Sequence, residues 1–365
     1  MINRVIITMG DPAGIGPEIV VKFFEELYKL EEKNLFIAVC GSKSVLQHYI
    51  DKTNSLVEIV EIEDNDKIKD LIARNGIMHL INVDCEIDDI EIGKVSMNAG
   101  NLSMKYLEKA LRCVKNGFFD GVVTAPISKD AINLAGYKYD GHTGWFAEKT
   151  HTTDFGMVLK GNKITVVLNT THVSMQDAVK AVKRESIVKK IVLAQRAKEE
   201  LGIEGKIAVA GLNPHNGEEG LFGDEESREI LPAVEEARAM GIEVDGPIVP
   251  DTLFVKMLKD DYNIAVVMYH DQGLIPMKME SFGNGVNITV GLPIVRTSVD
   301  HGTAFDIAGK GIAECGSLKE AVRTANVIIN RRFKRENGEI KIRPLKKADD
   351  IEFDNEKIEI DLSEE

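Results

Sequence analysis

Short apolar runs alternate along this chain with longer stretches in which apolar residues recur every three or four positions. The first pattern predicts buried strands, the second helices with one apolar face. Arg4 to Thr8 predicts a strand that runs into the turn G-D-P-A-G-I-G-P-E and then a helix. That helix sets Ile19, Val20, Phe23, Phe24, Leu27 and Leu30 on one face. Pro17 suits its first turn, and Glu18 complements the helix dipole there. Asn34 to Gly41 predicts the next strand, with a helix starting near Ser42; Leu56 to Ile62 and Ile77 to Val83 predict two more strands. A long helix is expected from Val95 to Lys115, and Asp120 to Pro126 (DGVVTAP) is an apolar run closed by a turn. Further helices are expected just after Gly141, over Arg184 to Leu201, over Glu225 to Met240 and over Leu318 to Phe333. Strands alternating with helices imply parallel crossovers, so the expected class is α/β with largely parallel sheets flanked by helices.

Three apolar runs share one context, each ending in a polar turn that holds a histidine. They are KITVVLNTTH (His172), KIAVAGLNPH (His215) and NIAVVMYH (His270). In open α/β sheets the carboxyl ends of strands line the ligand crevice. Three imidazoles delivered there can ligate a divalent metal and leave positions open for substrate; equally, each can hydrogen-bond within its own turn. Asp271, beside His270, is a further ligand or an orienting partner. The last run opens a stretch, Ile264 to Gly309, rich in glycine and carrying two isolated cations, Lys278 and Arg296, either side of Asn287. Such cations bind an anion if buried and are ordinary surface charges if not. His142-Thr143 at a helix start offers an anion site or an ordinary cap. The three glycines of G-D-P-A-G-I-G-P-E match no phosphate-loop fingerprint and say only that the backbone turns tightly or approaches something closely.

The chain's 365 residues exceed what one core usually supports, so two domains are expected. With 45 basic and 59 acidic residues the formal charge is −14, which argues against nucleic-acid and anionic-membrane partners. An anionic ligand would therefore need local, deliberate cations, which sharpens interest in Lys278 and Arg296. Four scattered cysteines without a C-x-x-C pair suit a reduced, cytoplasmic protein. No apolar run approaches the roughly 18 residues of a membrane span.

In order along the chain stand M-G-D-P-A-G-I-G-P-E, G-H-T, T-T-H-V, G-L-N-P-H, D-T-L-F, Y-H-D-Q-G, V-N-I-T-V-G-L-P and R-T-S-V-D-H-G-T-A-F-D-I-A-G. Over roughly residues 4 to 330 these motifs resemble the 4-hydroxythreonine-4-phosphate dehydrogenase family of pyridoxal phosphate biosynthesis. The closing H-G-T-A-F-D-I-A-G also resembles the adenosine-binding loop of isocitrate and isopropylmalate dehydrogenases. The resemblance implies their two-domain fold with a cleft between domains. Residues 1–137 and 302–334 would form the cofactor-side unit, 138–301 the metal and substrate unit, and 335–365 a charged extension. It implies NAD-dependent oxidation of the C3 hydroxyl of 4-phosphooxy-L-threonine, then decarboxylation to 3-amino-2-oxopropyl phosphate. His172, His215 and His270 would hold one divalent metal (Zn, Co, Mg, Mn or Ni, zinc favoured). His142, Thr143, Lys278, Asn287 and Arg296 would bind substrate, and His301, Gly302, Thr303 and Asp306 the cofactor.

A carboxylate at Asp306 accepts from a ribose 2′-hydroxyl and repels a 2′-phosphate, so NAD is expected over NADP. Asp251 is the candidate base. The family also implies a homodimer with the active site at the subunit interface. Two departures flank the implied ligands: Gly144-Trp145 follows G-H-T where the family often has an acid, and N-P-H-N-G-E-E-G replaces N-P-H-A-G-E-G-G. A related reading is a 4-phospho-threonate or 4-phospho-erythronate 3-dehydrogenase of sugar-acid catabolism. From another class, the same histidines and anion pocket would suit a metal-dependent aldolase or hydrolase without NAD.

Overall fold

The structure is a computed structural model describing residues 2–27, 34–336 and 339–342. Strands β1 (Asn3–Thr8), β2 (Leu35–Gly41), β3 (Glu58–Glu61), β4 (Ile77–Asn82) and β5 (Gly121–Thr124) come first. They interleave with helices α1 (Gly16–Glu25), α2 (Lys43–Thr53) and α3 (Met97–Lys115). After α4 (Lys129–Leu134) and α5 (His142–Lys149) come β6 (Gly156–Lys160) and β7 (Thr165–Leu168). Helices α6 (Met175–Lys180) and α7 (Arg184–Leu201) lead to β8 (Ile207–Ala210). Then follow α8 (Leu231–Ala239), β9 (Val244–Ile248), α9 (Pro250–Leu258), β10 (Ile264–Val267) and α10 (His270–Ser281). Strands β11 (Val286–Val290) and β12 (Val295–Val299) precede the last helix, α11 (Gly316–Arg332).

Strands β1 to β12 join one sheet, in the order β3-β4-β2-β1-β5-β12-β11-β6-β7-β10-β8-β9. Pairing is parallel on both flanks and antiparallel at β12–β11, β11–β6 and β6–β7. Strands β2, β5, β7, β8 and β10 are buried at every position, as expected of strands covered by helices on both faces. The expected α/β class with a mostly parallel sheet is what forms.

The differences from expectation are local. The run Leu56 to Ile62 shortens to Glu58–Glu61 because it lies at the sheet edge, where Leu56 is 94% exposed. The run Glu225 to Met240 divides into a single wide turn, Glu226–Ile230, and α8. His270 opens a twelve-residue helix rather than sitting in a turn; Gly273 and Pro276 within α10 hid its periodicity. The helix expected from Leu318 starts at Gly316, and the chain leaves it at Phe333 for a separate hairpin, β13 (Phe333–Glu336) with β14 (Glu339–Ile342). Leu30 of the first predicted helix and the remainder of the charged extension, 343–365, lie outside the described residues. Among the described residues no helix is long and apolar enough to cross a membrane.

Candidate active site

The antiparallel centre of the sheet buries a cation. Arg296 on β12 is 2% exposed and stands opposite Thr289 of β11 and beside β5. Its guanidinium donates to the hydroxyls of Thr124 (2.8 Å), Thr289 (3.0 Å) and Thr143 (3.5 Å), while its Nε is buried without a partner. Burial alone pulls the group down to about 9 from 12.5, the signature of a cation held without a counter-charge. It still carries its proton at neutral pH, and a buried charge without a counter-ion is strongly unfavourable.

Around it, other polar atoms are buried and unpaired. His142, the first residue of α5, has a buried Nε2 with no hydrogen bond. Burial, and then the Arg296 charge, hold this imidazole well below its ordinary value, so it is neutral at pH 7. Asn287 of β11 likewise leaves its Oδ1 buried and unpartnered. The Phe146 ring, on the next turn of α5, lies 5.9 Å below the guanidinium. Native interiors rarely leave such a set unsatisfied; an anion with hydroxyl groups would complete it. Lys278 differs: it is exposed on α10, its Nζ 3.5 Å from the Asp300 carbonyl oxygen just after β12. One expected cation is thus buried in the pocket, and the other lies in solvent against the loop after β12.

Two of the three implied metal ligands meet. The rings of His172 and His270 stand 5.6 Å apart, centroid to centroid. His270 pairs through Nδ1 with Asp271 Oδ1 at 2.7 Å, leaving Nε2 as its available nitrogen. Burial, then Lys129 and His270, lower the His172 imidazole while Asp140 opposes them, favouring the neutral form a metal needs. His215 stands apart, opening a run of five left-handed residues, His215 to Glu219, with φ from 45° to 81°. Buried Glu226 braces that run, accepting from the backbone of Leu212 and Asn213 (2.7 Å each) and from Asn213 Nδ2 (2.9 Å). Among the described residues no set of three His, Cys, Asp or Glu side chains is grouped to hold a metal. Asp251 is exposed in the first turn of α9, which packs on the His215 segment.

The loop after β12 carries the remaining implied residues. His301 Nδ1 lies 3.1 Å from the Gly302 carbonyl oxygen, Ala304 adopts a positive φ, and Asp306 is exposed. Thr303 lies against the G-D-P-A-G turn, its carbonyl accepting from Ile15 N at 3.0 Å. Residue patterns did not single out Thr124, Thr289, Glu226 or Asp11. A hydroxyl at a strand end and a carboxylate in a turn look ordinary until the fold supplies their neighbours. In Asp11 the signal was an acid set between apolar strand and proline, where burial is costly.

An α/β fold with a buried, uncompensated cation among unpaired polar atoms defines a protein with a small-anion site, and the same fold carries a close imidazole pair and a glycine-rich loop. The family described as Pyridoxal phosphate biosynthetic protein PdxA matches residues 33–325, and the chain belongs to that family. The D-threonate 4-phosphate dehydrogenase of Salmonella typhimurium is 40% identical over 328 residues, 88% of this chain and 98% of that protein. Among solved structures, the 4-hydroxythreonine-4-phosphate dehydrogenase of Klebsiella pneumoniae is 38% identical with a TM-score of 0.79, covering 90% of this chain and 99% of that one. That of Burkholderia phymatum is 36% identical, TM-score 0.76, covering 90% and 98%.

Proposed function

We propose that this chain is an NAD- and metal-dependent dehydrogenase that oxidises the C3 hydroxyl of a phosphorylated four-carbon hydroxy acid, with loss of carbon dioxide, and that the acid is of the threonate 4-phosphate kind. The observation carrying the anion is the Arg296 pocket: one buried cation with only hydroxyl partners, ringed by the unpaired atoms of His142 and Asn287. Thr143 and Lys278 complete the polar rim. The D-threonate 4-phosphate dehydrogenase relative supports the sugar-acid choice. So does Gly144, which stands where the family often has an acid and offers no carboxylate to a substrate ammonium. The second reading, 4-phosphooxy-L-threonine, is supported by the names of the solved relatives.

His172 and His270 fit a divalent metal, with His215 as the third ligand once its turn or a neighbouring subunit brings it in; imidazole suits zinc, cobalt or nickel. A metal held there would supply Lewis-acid polarisation of the substrate's C3 oxygen. Asp251, on the element packed against the His215 turn, is the proposed base for the hydroxyl proton. His301 to Asp306 receive the adenosine end of NAD, with Asp306 excluding a 2′-phosphate. Residues 1–137 with 302–334 form the cofactor side and 138–301 the metal side. The working unit is a homodimer: α10, which opens on His270 and carries Lys278, leaves Ile275 and Met279 exposed at 56% and 81%, and Phe282 just past its end is 89% exposed. The test is NADH formation from D-threonate 4-phosphate, D-erythronate 4-phosphate and 4-phosphooxy-L-threonine, with and without chelator. Turnover on the sugar-acid phosphates, lost with chelator and restored by zinc or cobalt, is expected. Turnover on the amino acid alone moves the assignment to the second reading, and no NADH from any of the three defeats both.

A further inference from the structure

The motif G-D-P-A-G-I-G-P-E, prominent in the sequence, touches neither the Arg296 pocket nor the histidine pair in any contact described above. Its contacts run instead to the loop that follows β12. At the near end, Ile15 N donates to the Thr303 carbonyl at 3.0 Å. Gly14 brings its Cα so close to Thr303 that an added Cβ would stand 2.9 Å from the Thr303 carbonyl oxygen and 3.0 Å from its Cβ. At the far end, Glu18 of α1, fully buried, accepts from Ala313 N (2.8 Å) and Gly311 N (3.2 Å). One turn along, Lys22 closes the ring: its Nζ donates to Glu18 Oε1 (3.0 Å), the Gly311 carbonyl (2.8 Å) and the Ala313 carbonyl (2.6 Å). One ion pair therefore satisfies both the donors and the acceptors of two loop residues. Charge-assisted bonds of this kind are the strong ones, and buried backbone groups left without them are costly.

We infer that Glu18 and Lys22 are positioning residues for the dinucleotide: they hold the 303–313 loop by its far end, while Gly14 seats it at the near end, so that the loop is ordered before the cofactor arrives. This rests on the reading of residues 301–306 as the cofactor side. A preordered loop binds without the entropy cost of fixing it, so loosening it weakens the cofactor and leaves the metal and anion groups alone. Neither side chain needs to touch the cofactor for this effect.

The test measures NADH affinity by fluorescence titration, and KM for NAD against kcat, in the wild type, Glu18→Gln, Lys22→Met and Gly14→Ala. Amide exchange at Gly311 and Ala313 is followed in parallel. Losing one charge-assisted contact set should weaken NADH binding and raise KM for NAD by about tenfold or more. KM for the acid substrate and metal retention should stay near wild type, while the two amides exchange faster. Glu18 is buried and its variant can fail to fold; Lys22, a quarter exposed at its side chain, and Gly14 then carry the test. Faster exchange with unchanged NADH affinity overturns the inference. A wild type that binds no NADH at all overturns the cofactor assignment instead, which keeps the two failures apart.

Discussion

Asp11 is fully buried, and one of its carboxylate oxygens has no hydrogen-bond partner. Its other oxygen accepts from Ala13 N at 2.8 Å. Burial raises this carboxyl from 3.8 to about 6, against the lowering effect of the Ala13 and Ser128 backbone groups. The protonated form is thus favoured in the folded chain more than in the unfolded one. Its contribution to stability is complete below about pH 4 and is lost as pH rises through about 6. Asp11→Asn should therefore gain stability on the wild type by up to about 3 kcal/mol at pH 8 and by little near pH 4. Urea midpoints of the two proteins across that range check it; parallel curves would mean that Asp11 is ionised at no cost. Arg296 shows the opposite arrangement, a charge kept in place by three hydroxyls.

Elements meet by backbone contact where side chains are absent. Helix α3 crosses the start of α4 at Gly100, where an added Cβ would lie 2.0 Å from the Ala131 carbonyl oxygen. Alanine gains about 1 kcal/mol of helix propensity over glycine, but overpacking against backbone costs about 1 to 3 kcal/mol and more when neither helix can move. Gly100→Ala should thus lose about 2 kcal/mol in urea unfolding, by the excess of the second effect; a neutral or stabilised variant would show that the two helices slide apart freely. The same comparison explains what was legible in the sequence. Runs such as those of β1, β2, β5 and β10 announced themselves because both faces are buried. Helix α10 did not, since His270, Gly273 and Pro276 serve contacts rather than periodicity. The histidines and Arg296 could be named from motifs. What three threonines, Glu226 and Glu18 do depends on neighbours over a hundred residues away in several cases, and no local pattern records that.

For the whole molecule, the exposed apolar stripe of α10 is the feature most at odds with a solitary chain. Ile275 and Met279, one turn apart on α10 beside Lys278, and Phe282 just past its end are all exposed, and patches of this sort mark interaction surfaces. If the proposed homodimer forms through this face, replacing Met279 and Phe282 together with glutamate should leave a monomer in sedimentation or light scattering. It should also lower turnover, because the site would lose its neighbour; an unchanged oligomer would place the subunit interface elsewhere.

Asn3, in the first strand, donates from one amide nitrogen to Asn326 (2.6 Å) and Asn330 (2.7 Å) of the final helix. Emerging from the ribosome, β1 must wait for more than three hundred further residues before that amide finds its partners. Closing so long a span adds little equilibrium entropy beyond that of a loop half its size, but it delays the step. The opening strand thus reaches its finished surroundings only once α11 has been made, and until then β1 and β5 lack the helix that shields them from water and from other nascent chains.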